Sequence, residues 1–249
     1  MPTEPAGRRP LKTREWPFFK NLAAALARAG ATPNGISAAS IVCGCCAGVA
    51  LVATAHFDGW PLRACWLVAA VCIQLRLIAN LLDGMVAVEG RKGGPTGDLW
   101  NEAPDRVSDA AIFIGAGCAA GSVPVLGFAA ALVAVFVAYV RALGASVGAG
   151  QCFLGPMAKP QRMALMTALA VAGAIFPHVI AHGWSVSETE FTLAIRDTVS
   201  AFKVPVTSSV SMPLTAVSFT LWLVILGGLV TAALRLAFIA DFLRKKSRP

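Results

Sequence analysis

Asn80, Asp83 and Ala87 stand at i, i+3 and i+7, and Gly97, Asn101, Asp105 and Asp109 follow at successive steps of four. On an α-helix each set shares one face. Two such helices can present oxygen ligands to each other, and Gly84, Ala87 and Gly97 remove bulk beside those oxygens, so that something large can approach the backbone. Hard oxygens around open space suit Mg2+ or Mn2+ bridging phosphates, because magnesium keeps water and substrate oxygens in its shell. A pyrophosphate-bearing substrate is the natural guest. Six of the chain's thirteen carboxylates (Asp83, Glu89, Asp98, Glu102, Asp105 and Asp109) crowd into Asn80–Asp109, in a sequence otherwise nearly free of acids. A structural network of ion pairs between helices is the competing explanation of that crowding.

The elements that must carry these residues are set by composition. With 249 residues, 57% hydrophobic and only 14% charged, the chain is far more apolar than a soluble domain and reads as a polytopic, all-α integral membrane protein. Net charge is +8, but the basic residues gather at the two ends and between apolar runs. That is the pattern of cytoplasmic loops and anionic lipid contact, and no nucleic-acid-binding signature accompanies it. The seven cysteines lie mostly within apolar segments, without metal-ligand spacing, and read as small packing residues.

Residues 1–31 form a cytoplasmic juxtamembrane segment. Six basic residues there surround Trp16, Phe19, Leu22 or Ala23, and Leu26 at helical spacing, which predicts an amphipathic helix lying on the membrane surface, on the protein's own cytoplasmic face, or on both. Thr32-Pro33-Asn34 is a helix start. From there, residues 32–240 make one domain of six transmembrane helices, near 33–57, 61–82, 98–120, 123–147, 161–182 and 213–237. The third would escape a hydropathy window, because its first half carries Asp98, Glu102, Asp105, Arg106 and Asp109. Crossing roughly 30 Å of hydrocarbon needs about twenty residues, so the helix must extend back through those charges, with its polar half facing protein or water. Loop Lys and Arg favour a cytoplasmic N-terminus and a cytoplasmic basic tail, 241–249. The connection from Gly183 to Met212 then lies outside, with a short surface helix expected around Glu188 to Phe202.

The intervals Asn80-x2-Asp83-Gly84-x2-Ala87-x9-Gly97-x3-Asn101-x3-Asp105 resemble the CDP-alcohol phosphotransferase family, whose pattern is D-x2-D-G-x2-A-R-x8-G-x3-D-x3-D. Every interval matches. Asn80 and Asn101 stand where the family has Asp, and Val88 where it has Arg, an arrangement similar to a variant bacterial branch of the family. The resemblance implies transfer of a phosphatidyl group from a CDP-activated donor, with CDP-diacylglycerol expected, to a small or phosphorylated alcohol, with release of CMP. It also implies that Asn80, Asp83, Asn101 and Asp105 hold one or two Mg2+ or Mn2+ ions, with Glu102 and Asp109 available to restore lost charge. Gly84, Ala87 and Gly97 would admit the cytidine diphosphate moiety, and Asp105 would be the base. A bacterial inner-membrane enzyme with its site on the cytoplasmic side is implied, and a homodimer fits the family.

A second constellation opens the fifth span. Lys159 and Arg162 stand at a helix N-terminus, with Arg141 near the end of the fourth span, and such a place can hold an acceptor phosphate. Positive-inside anchoring explains the same residues without a ligand. Arg76, one turn before Asn80, and Arg106, beside Asp105, are expected to pair with carboxylates, and Arg235 to snorkel. Two other functions compete with the enzyme. The Asn substitutions suit a catalytically weak nucleotide- or lipid-binding regulator. Buried charge also suits a transporter, although the sequence shows no inverted repeat or paired broken helices.

Overall fold

A computed structural model describes residues 16–89, 97–182 and 214–246 of the chain, and all secondary structure among them is helical. In chain order the helices are α1 (Pro17–Arg28), α2 (Pro33–Ala53), α3 (Gly59–Glu89), α4 (Gly97–Gly117), α5 (Pro124–Ser146), α6 (Lys159–Ile175), α7 (Pro177–His182) and α8 (Ala216–Lys246). Four of them, α2, α3, α5 and α8, are long and apolar enough to cross a membrane by length and composition. The molecule is thus an all-helical, multi-pass integral membrane protein. Leu67, Val71, Leu75, Phe128, Leu132 and Leu226 are among the apolar side chains left on its outer surface, where a soluble protein would place polar ones.

Local sequence explains where the helices begin and end. Thr32 caps α2, its Oγ1 accepting from the Gly35 N–H at 3.1 Å, and Pro33 supplies a pre-set φ at the first position. The fifth span, expected to run unbroken over 161–182, is instead two helices. Phe176 precedes Pro177 and is pushed out of helical geometry (φ −126°, ψ 59°), which ends α6 at Ile175. The freed carbonyls of Ala174 and Ile175 accept from Arg63 at 3.1 and 2.9 Å. The last helix runs through Arg244-Lys245-Lys246, so the first residues of the expected basic tail continue it. Likewise α3 continues past 82 to Glu89, and α2 ends at Ala53 rather than 57. The first fifteen residues, the glycine-rich connection 90–96 and the expected surface helix at 188–202 lie outside the described residues.

Packing is dominated by α2, which lies against both α3 and α4, while α3 and α4 scarcely touch each other. The crossing with α4 is close because of small residues. A Cβ added at Gly48 would stand 2.5 Å from the Ala111 carbonyl oxygen, and one at Gly44 would stand 2.5 Å from the Ser108 Cβ. Around this crossing Leu51, Trp66, Ile73, Ile112, Phe113 and Met166 form a fully buried core. Helix α1 rests on the end of α3, with Ala23 wholly buried among Leu82, Met85 and Val86, and Phe19, Leu22 and Leu26 packed beside it.

Candidate active site

The polar residues of the motif converge at one end of the bundle, where α2, α4 and α6 begin and α3, α5 and α8 finish. Each helix contributes by its register. On α3, Arg76, Asn80 and Asp83 are three to four residues apart; on α4, Asp105 and Asp109 are one turn apart; on α6, Lys159 and Arg162 stand on the first turn. On α2, Ser37 is buried at the start of the second turn and donates to Asp83 Oδ2 at 2.7 Å.

Two layers of charge result. In the deeper layer Arg76, without solvent exposure, donates from Nη2 to Asp105 Oδ1 at 3.1 Å, to the Asp105 carbonyl at 3.3 Å and to Asp109 Oδ1. Arg162, 2% exposed, donates to Asp109 Oδ2 at 3.0 Å and to the Met157 carbonyl at 3.1 Å. Asp109 is therefore clamped between two guanidinium groups, one from α3 and one from α6. In the shallower layer Lys159 donates from Nζ to Asn80 Oδ1 at 2.5 Å and to Asp105 Oδ2. Asp83 stands beside this layer, 4% exposed, within electrostatic reach of both Asp105 and Lys159.

Glu102 points elsewhere. It binds Arg106 at 2.6 Å and Arg141 at 2.5 Å, and Arg141 also donates to Gln151 at 2.7 Å. Together with Tyr139 these residues line a groove of about 410 Å3 between α4 and α5. Arg141 is thereby set apart from Lys159 and Arg162, with which the sequence grouped it. Arg235 does not snorkel: it is 3% exposed, and its guanidinium donates to the carbonyls of Leu154 and Val137 at 3.0 Å, tying the α5–α6 connection to the bundle. Gly84 and Ala87 lie on the last turns of α3, and Gly97 opens α4. The Asn101 side chain lies outside those described.

Whether these residues suit a divalent ion is decided atom by atom. Asp83 Oδ1 is buried and has no hydrogen-bond partner, a costly state for a carboxylate oxygen and one that a cation would relieve. By contrast, Asn80 Oδ1 and Asp105 Oδ2 already receive Lys159. Among the described residues no three His, Cys, Asp or Glu side chains are grouped as a metal cluster. The described part of the site thus fits one ion at Asp83 better than a pair.

Sequence reasoning missed Ser37, whose only signal was a hydroxyl in an apolar run one turn beyond the Thr-Pro-Asn start. It also missed the reach of Lys159 across to α3 and α4.

No family model matches the chain. A phosphatidylinositol phosphate synthase of Mycobacteroides abscessus is 27% identical over 185 residues, which cover 72% of this chain and 78% of the relative. Two crystal structures of the Mycobacterium tuberculosis phosphatidylinositol phosphate synthase share the fold at 18% identity. The complex with manganese and citrate gives a TM-score of 0.62 over 89% of this chain and 88% of that one. The structure with CDP-DAG bound gives 0.60 over 89% and 92%. The chain is thus similar in sequence to a phosphatidylinositol phosphate synthase and shares the fold of another.

Proposed function

We propose that the protein transfers a phosphatidyl group from CDP-diacylglycerol to an alcohol, releasing CMP, with Mg2+ or Mn2+ bound at Asp83. One observation carries the reading beyond the motif: a buried carboxylate oxygen of Asp83 without a side-chain partner, within electrostatic reach of Asp105 and Lys159. A divalent cation bound there supplies positive charge to the donor's pyrophosphate and steadies the CMP leaving group. The protein's own residues do the rest. Gly84, Ala87 and Gly97 leave room for the cytidine diphosphate against α3 and α4. The acceptor's hydroxyl oxygen attacks the phosphorus that carries diacylglycerol, the bond from that phosphorus to the CMP oxygen breaks, and the hydroxyl proton passes to Asp105. Asp105 Oδ1 is turned to Arg76, but Oδ2 can accept a second hydrogen bond beside that of Lys159. Such transfers depend mainly on positioning and charge neutralisation, so a modest base suffices. Lys159 and Arg162 add positive charge where a phosphorylated acceptor would enter, and the relative named for phosphatidylinositol phosphate synthesis supports an acceptor of that class.

The finer architecture belongs to the same proposal. Helices α4 and α6–α7 complete six spans, with the polar first half of α4 turned into the bundle. Lys20 and Arg28 of α1 and Arg244, Lys245 and Lys246 of α8 lie at the bundle end that holds the site, which supports a cytoplasmic site, cytoplasmic termini and an inner-membrane location. The exposed Trp16 and Phe18 of α1 support its lying on lipid as an amphipathic helix. Asn101 keeps its proposed role as a metal ligand, Glu102 and Asp109 are assigned to the ion pairs they make, and a homodimer is retained from the resemblance.

The purified protein, given CDP-diacylglycerol, Mg2+ or Mn2+ and a panel of alcohols, is expected to release CMP, and Asp83→Ala to abolish it. The two Asn substitutions favour one other reading, a nucleotide-binding relative without turnover. CDP-diacylglycerol binding without CMP release for any acceptor would establish that reading instead.

A further inference from the structure

Lys159 does more than anchor a helix end in lipid. From the first residue of α6 it reaches across to α3 and α4 at once, donating to Asn80 Oδ1 and Asp105 Oδ2, two oxygens that the motif spacing places for a cation. Its side chain is only 22% exposed. Asp105 and Asp109 are held in ion pairs by Arg76, Lys159 and Arg162, whereas Asp83 makes none of these pairs. A second divalent ion would have to enter against a fixed ammonium and find, among the described residues, no uncommitted carboxylate there. Among the described carboxylate oxygens, Asp83 Oδ1 is the one buried without a hydrogen-bond partner.

We propose that Lys159 is a tethered cation occupying the Asn80–Asp105 half of the metal site, so that the chain takes one divalent ion, at Asp83, instead of two. The inference rests on the proposed function for the ion and the donor. Asn80 then has a physical reason. A neutral amide oxygen satisfies an ammonium N–H without adding negative charge that a single positive charge could not balance. Asn80 and Lys159 together replace a carboxylate and an ion with an amide and an ammonium. The replacement is covalent, so no entropy is lost in recruiting it. An ammonium also has three donors, enough to serve Asn80, Asp105 and one phosphate oxygen of the donor.

The test is a Mn2+ titration of the full-length protein in detergent micelles, without substrate, with free Mn2+ read by electron paramagnetic resonance. Wild type is expected to take one ion per chain, and Asp83→Asn to lose it. Lys159→Met is expected to admit a second ion or to tighten binding about tenfold through loss of the like charge. Lys159→Met combined with Asn80→Asp is expected to take two, and Lys159→Arg to stay at one. Two ions in wild type overturn the proposal. So does a folded Lys159→Met protein, judged by thermal unfolding, whose ion number and affinity both match wild type. If Lys159→Met does not fold, Lys159→Gln is titrated in its place, with the same two outcomes. CMP release is measured on the same wild-type preparation. One ion bound without CMP release removes the transferase reading and leaves the role of Lys159 standing; two ions with CMP release does the reverse.

Discussion

Asp83 has one oxygen held by the Ser37 hydroxyl and one buried without a side-chain partner, an asymmetry that suits the proposed metal ligand. The Ser37 hydroxyl orients the carboxylate without touching the ion. Ser37→Ala is therefore expected to weaken Mn2+ binding by about 10- to 100-fold while leaving the helices intact, as metal titration beside circular dichroism would show. Arg76 has a different task. It neutralises Asp105 and Asp109 together in a region closed to solvent, and Arg76→Met, which leaves Asp105 to Lys159 and Asp109 to Arg162, is expected to cost about 1–3 kcal/mol. Thermal unfolding in detergent should show that loss, and adding Asp109→Asn should recover part of it, since the two side chains share one interaction. Glu102 is partly exposed and already shared by Arg106 and Arg141. Glu102→Gln is expected to leave Mn2+ affinity within about twofold and to cost under about 1 kcal/mol of stability. A large loss of Mn2+ binding in that variant would place Glu102 among the ligands. The helical register of the motif was legible because steps of three and four residues fix a face. The arrival of Lys159 was not, because it lies 54 positions beyond Asp105 and its reach depends on how the α5–α6 connection turns.

At the scale of elements, hydropathy located the helices well and their ends poorly. Apolar residues mark where hydrocarbon surrounds a helix, whereas backbone hydrogen bonding continues as long as no residue interrupts it. That is why α3 and α8 outrun their apolar stretches, to Glu89 and Lys246. The interruption of the fifth span was written in Phe176-Pro177, and a count of apolar residues overlooked it. The charged first half of α4 was expected to be helical despite its polarity, and it is, even with Pro104 inside it. Element contacts also set a limit on substitution. At Gly48 a single added methyl group meets backbone of α4, which cannot turn aside as a side chain can. Gly48→Ala is expected to cost about 1–3 kcal/mol and to lower CMP release together with stability, measurable by thermal unfolding and turnover on one preparation.

For the whole molecule, an apolar exterior surrounds a polar cluster confined to one end, so orientation in the bilayer decides which compartment the reaction faces. A protease-cleavable tag after Pro249 is expected to be cut in inverted vesicles and protected in right-side-out ones; the opposite result would turn the site outward. One packing feature reaches further than orientation. Because α3 and α4 lean on α2 and scarcely on each other, the distance between the two rows of oxygens is gauged by a helix that carries no charged residue. Selectivity for the bulk of the activated donor is then stored as the thickness of an inert spacer. Variants that accept a wider or narrower donor should arise at Gly44 and Gly48, where α2 meets α4.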